Sequence, residues 1–251
     1  MTNISKVCIV TGGSSGIGEA TALLAMNSGY RVYNLDLLPP KSTSSQRDDT
    51  FVKCDVTNRS AVEEVVNFIS YREGGIDALV ISAGVHLSAN IEQTSEDDFD
   101  RVMGANTKGA YCVLKSVIPL MKEKRKGSIV IVSSDQAFIG KKNSFAYNSS
   151  KAAIAAMART IALDYAPFGI RCNAVCPGTI DTPLYQNAVQ RYASKHGLNL
   201  DEVHKEEAKE QPLGRVGTPE DVANFIGFLI GDASSFITGA LLPIDGGYTT
   251  R

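Results

Sequence analysis

Tyr147 and Lys151 stand four residues apart in the segment Tyr147-Asn148-Ser149-Ser150-Lys151, at the head of an Ala-rich stretch. On a helix this spacing puts both side chains on one face, one turn apart. An ammonium group beside a phenol favours the phenolate, because opposite charge stabilises the ionised form. Free tyrosine titrates near pH ~10, and a pair at about 4 Å in an effective dielectric of ~20 gains roughly 4 kcal/mol before desolvation is subtracted. Such a tyrosine is expected to serve as an acid or base near neutrality. Tyr-x-x-x-Lys also arises by chance on exposed helices, so the rest of the chain must supply its context.

A second segment with chemical meaning is Thr11-Gly12-Gly13-Ser14-Ser15-Gly16-Ile17-Gly18. It follows a short apolar run and precedes a helical pattern. Glycines there permit a tight turn and the approach of a pyrophosphate to free N–H groups at a helix N-terminus. Asp36 ends the next apolar run, eighteen residues beyond Gly18. A carboxylate in that place accepts hydrogen bonds from ribose 2′- and 3′-hydroxyls and repels a 2′-phosphate. Ser15 and Leu37, where a cation could receive that phosphate, are neutral. These residues predict NAD rather than NADP as the cofactor.

Strand and helix patterns alternate along the chain and would position these groups. Apolar runs predict strands over 7–10, 31–35, 51–54, 78–81, 128–132, 170–176 and 241–244. Helical patterns cover 17–27, 58–71 with Asn58 as cap, 95–126 with a bend at Pro119, 147–165, and 219–230 with Thr218 as cap. The order predicts an α/β fold. It is a doubly wound, Rossmann-like parallel sheet of about seven strands with helices on both faces, in a single domain over 1–251. Residues 39–49 read as a polar loop. The charged segment 182–213 reads as an insertion after the sixth strand, where a small helical substrate lid would sit. A surface hairpin without a role in binding is the alternative.

The totals exclude several classes. With 251 residues the chain is long enough for a sizeable core, and its net charge of −2 gives no electrostatic argument for nucleic acid or an anionic membrane. The run 122–126 contains Glu123 and reads as a solvated helix end. Five scattered Cys fit a reducing compartment, so a cytoplasmic location is expected; Cys172 and Cys176 share strand parity and read as core thiols. Three His residues without metal spacing predict no metal site. No signal-peptide pattern or membrane-length apolar run is seen.

Over essentially its whole length the sequence resembles the short-chain dehydrogenase/reductase family. The Thr-Gly-x-x-x-Gly-x-Gly turn matches Thr11 to Gly18, which implies cofactor contacts at Gly12, Ser14, Ser15, Gly16, Ile17 and Gly18. The family's adenine-holding Asp-Val matches Asp55-Val56. Its Asn on the long helix matches Asn106, and its catalytic Ser matches Ser134, thirteen residues before Tyr147. Pro177-Gly178, with Ile180 and Thr182, resembles the nicotinamide-binding segment. Asp245 lies in Ile244-Asp245-Gly246-Gly247, similar to the family's Val-Asp-Gly-Gly. One departure stands out: Asn-Asn-Ala-Gly is here Ile81-Ser82-Ala83-Gly84, so a shorter hydroxyl replaces the bracing Asn while Ser82, Ala83 and Gly84 still border the cofactor.

The resemblance implies an NAD-dependent oxidoreductase acting between a secondary alcohol, or its ketone, and NAD. Tyr147 would be the acid/base and Ser134 would orient the substrate oxygen. Lys151 would lower the Tyr147 pKa and hold ribose hydroxyls, and Asn106 would hold a relay water. Substrate contacts are expected at Ser134, Gln136 and Tyr147, with Asn143, His86 and Tyr185 placed nearby by location. A β-ketoacyl thioester reductase and a non-catalytic dinucleotide sensor are the alternatives. The family implies a homotetramer, and the small-residue helix over 152–162 suits either a subunit interface or internal packing.

Overall fold

Short apolar runs pair side by side into one parallel sheet. Its strands are β1 (Val7–Thr11), β2 (Arg31–Asp36), β3 (Thr50–Lys53), β4 (Ala78–Ile81), β5 (Gly127–Val132), β6 (Ile170–Pro177) and β7 (Leu241–Ile244). They lie in the order β3-β2-β1-β4-β5-β6-β7. The computed structural model describes residues 6–41 and 50–250, so most of the expected polar loop over 39–49 lies outside the described residues. The helices are α1 (Gly16–Asn27), α2 (Arg59–Glu73), α3 (Glu96–Met103), α4 (Gly109–Lys124), α5 (Phe145–Tyr165), α6 (Pro183–His196), α7 (Leu200–Glu210) and α8 (Pro219–Ile230). The doubly wound architecture expected from the alternating pattern is the one observed. Among the described residues no helix is long and apolar enough to cross a membrane.

Both faces of the sheet are covered, which is why the central strands read as continuous apolar runs. Val7 and Ile9 of β1 pack with Val66 of α2, Val113 of α4 and Ile154 of α5. Cys8 and Val10, on the opposite face, pack with Ala22 of α1 and Ile226 of α8. Local signals set the helix ends. Asn58 accepts from the Ala61 N–H at 3.2 Å. Thr218 and Asp221 cap α8 reciprocally, and Pro219 occupies its first turn, where no N–H partner is needed.

One feature departs from the sequence reading. The helical region expected over 95–126 contains a π-helical turn, Gly104–Lys108, between α3 and α4. Apolar periodicity registers poorly against such a widened turn, which is often found at functional sites. The segment 182–213 is a helix pair, α6 and α7, whose own small core is Tyr185, Val189, Ala193 and Val203.

The sheet order reverses at β1. One crossover leads from β1 to β2 and the other from β3 back to β4, opening a crevice at the carboxyl ends of β1 and β4. Thr11 braces this opening. Its hydroxyl accepts from the Ser82 and Ala83 N–H groups, both at 3.2 Å.

Asn173, fully buried in β6, secures the approach to β7. Its amide donates to the Ile237 carbonyl at 2.9 Å and accepts from the Ala240 N–H at 3.1 Å. Asn173→Leu strands both backbone groups, each at a cost of about 1–3 kcal/mol. Urea denaturation of this variant should show a clearly lowered midpoint; an unchanged midpoint would contradict the assigned role.

Candidate active site

The crevice widens into a cleft of about 1220 Å³. At one end is the glycine turn. Gly12 adopts φ +67°, and a Cβ there would stand 2.8 Å from the Ala83 Cα; a Cβ on Gly18 would run into the Gly12 carbonyl. Bare backbone is therefore required where α1 begins, and its first N–H groups are left open to an anion. Asn34 of β2 supports the turn from below, its amide donating to the Ser14 hydroxyl at 3.0 Å. Asp36 follows at the strand end, accepting from the Ser14 N–H at 3.1 Å and the Leu37 N–H at 2.7 Å. Asp55, Val56, Ser82, Ala83 and Gly84 continue the wall, and Pro177, Gly178, Ile180 and Thr182 close it opposite. The shape, the bare glycines and the terminal carboxylate fit a dinucleotide.

Ser134, Tyr147 and Lys151 line the other half of the same cleft. Tyr147 and Lys151 share a face of α5, with the lysine nitrogen 5.5 Å from the centre of the phenol ring. Lys151 is buried and donates to the Val132 carbonyl at 2.8 Å, while the Ser133 hydroxyl donates to the Lys151 carbonyl at 2.8 Å. These two bonds tie α5 to the end of β5. Asn106 lies behind this wall, on the π turn. Its side chain accepts from the Val85 N–H at 2.8 Å and donates to the Val85 carbonyl at 3.0 Å and to the Ser150 hydroxyl at 2.9 Å. It joins the segment after β4 to α5.

Electrostatics here reverse one expectation. The Tyr147–Lys151 spacing predicts a lowered phenol pKa. In the structure burial pushes the Tyr147 phenol above its ordinary value, the Asp135 carboxylate adds to the rise, and the Ser134 hydroxyl opposes it. Loss of water decides the direction for this buried phenol. It acts on the lysine too, whose pKa burial lowers to about 8.

The expected substrate-facing residues all line the cleft. His86 is in the cleft, its ring 4.8 Å from the Tyr147 ring and edge-on to it. Burial first, then the charges of Lys141, Arg191 and Lys151, lower its pKa to about 4, so it is neutral at physiological pH. Asn143 and Tyr185 also line the cleft. Gln136 lines the cleft as well, and its side chain accepts from the Ser144 hydroxyl at 2.5 Å. Thr182 caps α6, accepting from the Tyr185 N–H at 3.3 Å, and its methyl carbon lies against Gly16.

Sequence reasoning did not single out Asn34 or Asp135, although each touches a site residue. It also missed Glu207 of α7, which accepts from Thr179 at 3.4 Å and pairs with Lys141 at 3.8 Å across the cleft. The Asn34 and Glu207 contacts link distant segments and leave no local spacing signal, whereas Asp135 adjoins Ser134. The five cysteines, by contrast, are buried and unpaired, as their scatter suggests.

Comparison with known proteins agrees with this geometry. Residues 12–249 match the family described as enoyl-(acyl carrier protein) reductase. A 3-oxoacyl-[acyl-carrier-protein] reductase of Thermotoga maritima is 39% identical, over 96% of this chain and 97% of its own length. The aldohexose dehydrogenase of Thermoplasma acidophilum superposes with a TM-score of 0.91 at 39% identity, covering 98% of this chain and 95% of its own. A short chain dehydrogenase family protein of Francisella tularensis gives a TM-score of 0.90 at 38% identity, covering 98% and 100% respectively. The chain thus belongs to the short-chain dehydrogenase/reductase family and is an NAD(P)-dependent oxidoreductase of alcohols and ketones.

Proposed function

We propose that this protein is an NAD-dependent secondary alcohol dehydrogenase or ketone reductase in which Tyr147 moves the proton. The observation that carries this reading is the placement of Tyr147, Lys151 and Ser134 in the cleft that Asp36 borders at its far end. Tyr147 takes the hydroxyl proton of an alcohol, or returns it to a ketone oxygen. Ser134 hydrogen-bonds the same oxygen and orients it. Lys151 holds ribose hydroxyls, and Asn106 holds the π turn and α5 in place, with a water beside it as a path for the proton. Nicotinamide, when bound, supplies or accepts the hydride.

Asp36 supports NAD over NADP, since its carboxylate would face a 2′-phosphate with no cation at Ser15 or Leu37. The α6–α7 pair acts as a lid within a single domain: Leu184, Tyr185, Val189 and Tyr192 border the cleft. Exposed Tyr111 on α4 and Leu163 on α5 leave apolar surface for a homo-oligomer, family membership supports a tetramer, and five free thiols support a reducing, cytoplasmic setting. The Thermotoga relative favours a second reading, reduction of a β-ketoacyl thioester. Rates with such a thioester, compared with rates across a panel of sugars, polyols, hydroxy acids, cyclic diols and steroids with NAD+, separate the two. A dinucleotide sensor without turnover would bind NAD and leave the whole panel unreacted.

Tyr147→Phe should reduce turnover by about 10²–10⁴-fold with NAD+ binding retained. Activity close to wild type in that variant would refute the assignment. Replacing Asp36 with Ala together with Leu37→Arg should shift kcat/KM toward NADP+. A cofactor ratio that does not move would remove Asp36 from its role.

A further inference from the structure

The residue after Ser134 is an acid that the chemistry above does not use. Asp135 is buried and lines the cleft beside Tyr147 and Ser134. Its Oδ1 accepts from the Ser134 hydroxyl at 2.6 Å and from the Gln136 N–H at 2.8 Å. The Gln136 N–H also reaches the Ser134 oxygen, at 3.2 Å. Three groups are thereby fixed in one short turn, Asp135–Ala137, whose hydrogen bonds aim the serine oxygen.

A serine hydroxyl has one proton and two lone pairs. At 2.6 Å that proton is committed to Asp135, in the length range of a charge-assisted bond. The Tyr147 phenol, whose pKa the Ser134 hydroxyl lowers, competes with Asp135 for it. The same carboxylate also repels the phenolate directly.

We propose that Asp135 is a positioning residue that orients Ser134 and holds the proton on Tyr147, setting the pH at which the tyrosine changes role. The inference rests on the assignment of Tyr147 as acid/base. Several groups act on Asp135. Burial raises its carboxyl above the ordinary range, Asp245 beyond β7 adds to this, and Ser134, Lys141 and the Gln136 N–H pull it down. Tyr147 is faced by neutral His86 and by Lys151 as well. Among the groups that shift the phenol, Asp135 is the charged one, which makes it the element to alter.

Asp135→Asn keeps an acceptor for Ser134 and Gln136 but removes the charge. Oxidation requires the phenolate, so its rate falls below the Tyr147 pKa. With the repelling charge gone that pKa drops, and the acid limb should move to lower pH. The experiment measures kcat and kcat/KM against pH with NAD+ and the alcohol of the panel that reacts fastest. A downward displacement of about one pH unit is expected in Asp135→Asn. Asp135→Ala should show the same displacement with kcat lower by about tenfold, since Ser134 loses its orientation. Superimposable wild-type and Asp135→Asn profiles, in protein that binds NAD+ normally, would overturn the inference while Tyr147→Phe still tests the function. Turnover by Tyr147→Phe, or none by the wild-type protein, would remove both.

Discussion

A buried ammonium group organises this cleft. Lys151 is nearly inaccessible, yet its nitrogen must keep hydrogen-bond partners or lose its proton. The Val132 carbonyl at the end of β5 supplies one, and the Ser133 hydroxyl fixes the lysine's own backbone. With α5 fastened to β5 in this way, the first turns of the helix are held at the carboxyl edge of the sheet. Tyr147 then lies over the crevice, and the π turn carrying Asn106 is drawn against Ser150. Loosening the lysine would therefore disturb every side chain around the phenol.

The sequence made this arrangement legible where chemistry depends on local spacing. Tyr147 and Lys151 are one helical turn apart, Asn58 and Thr218 stand immediately before their helices, and Asp36 closes a short apolar strand. Such relations survive without knowledge of the fold. Seven strands could likewise be read because parallel strands covered on both faces are continuously apolar. The π turn could not, since one extra residue in a turn alters no composition. Nor could the partnership of Thr11 with Ser82 and Ala83, which depends on the register that sets Thr11 beside Ile81.

The sign of the Tyr147 shift shows a deeper limit of reading from sequence. Spacing identifies which charges are neighbours. It says nothing of the water they lose. A cation four residues away predicts an acidic phenol, but the ring sits among His86, Lys151 and the end of β5, where either ion is disfavoured. Burial raises the phenol and lowers the lysine together, so both groups move toward their neutral forms. A residue poised by desolvation responds strongly to any charge introduced beside it.

Because Gly12 and Gly18 leave the start of α1 as naked main chain, this part of the cleft presents amide dipoles rather than ionisable side chains. Peptide groups keep their polarity across the whole biological range of acidity. Grip on a ligand there is accordingly constant, and sensitivity to the medium falls to titratable groups elsewhere in the groove, among them His86, Asp135 and the Tyr147–Lys151 couple. Recognition and reactivity can thus be altered independently along a single groove.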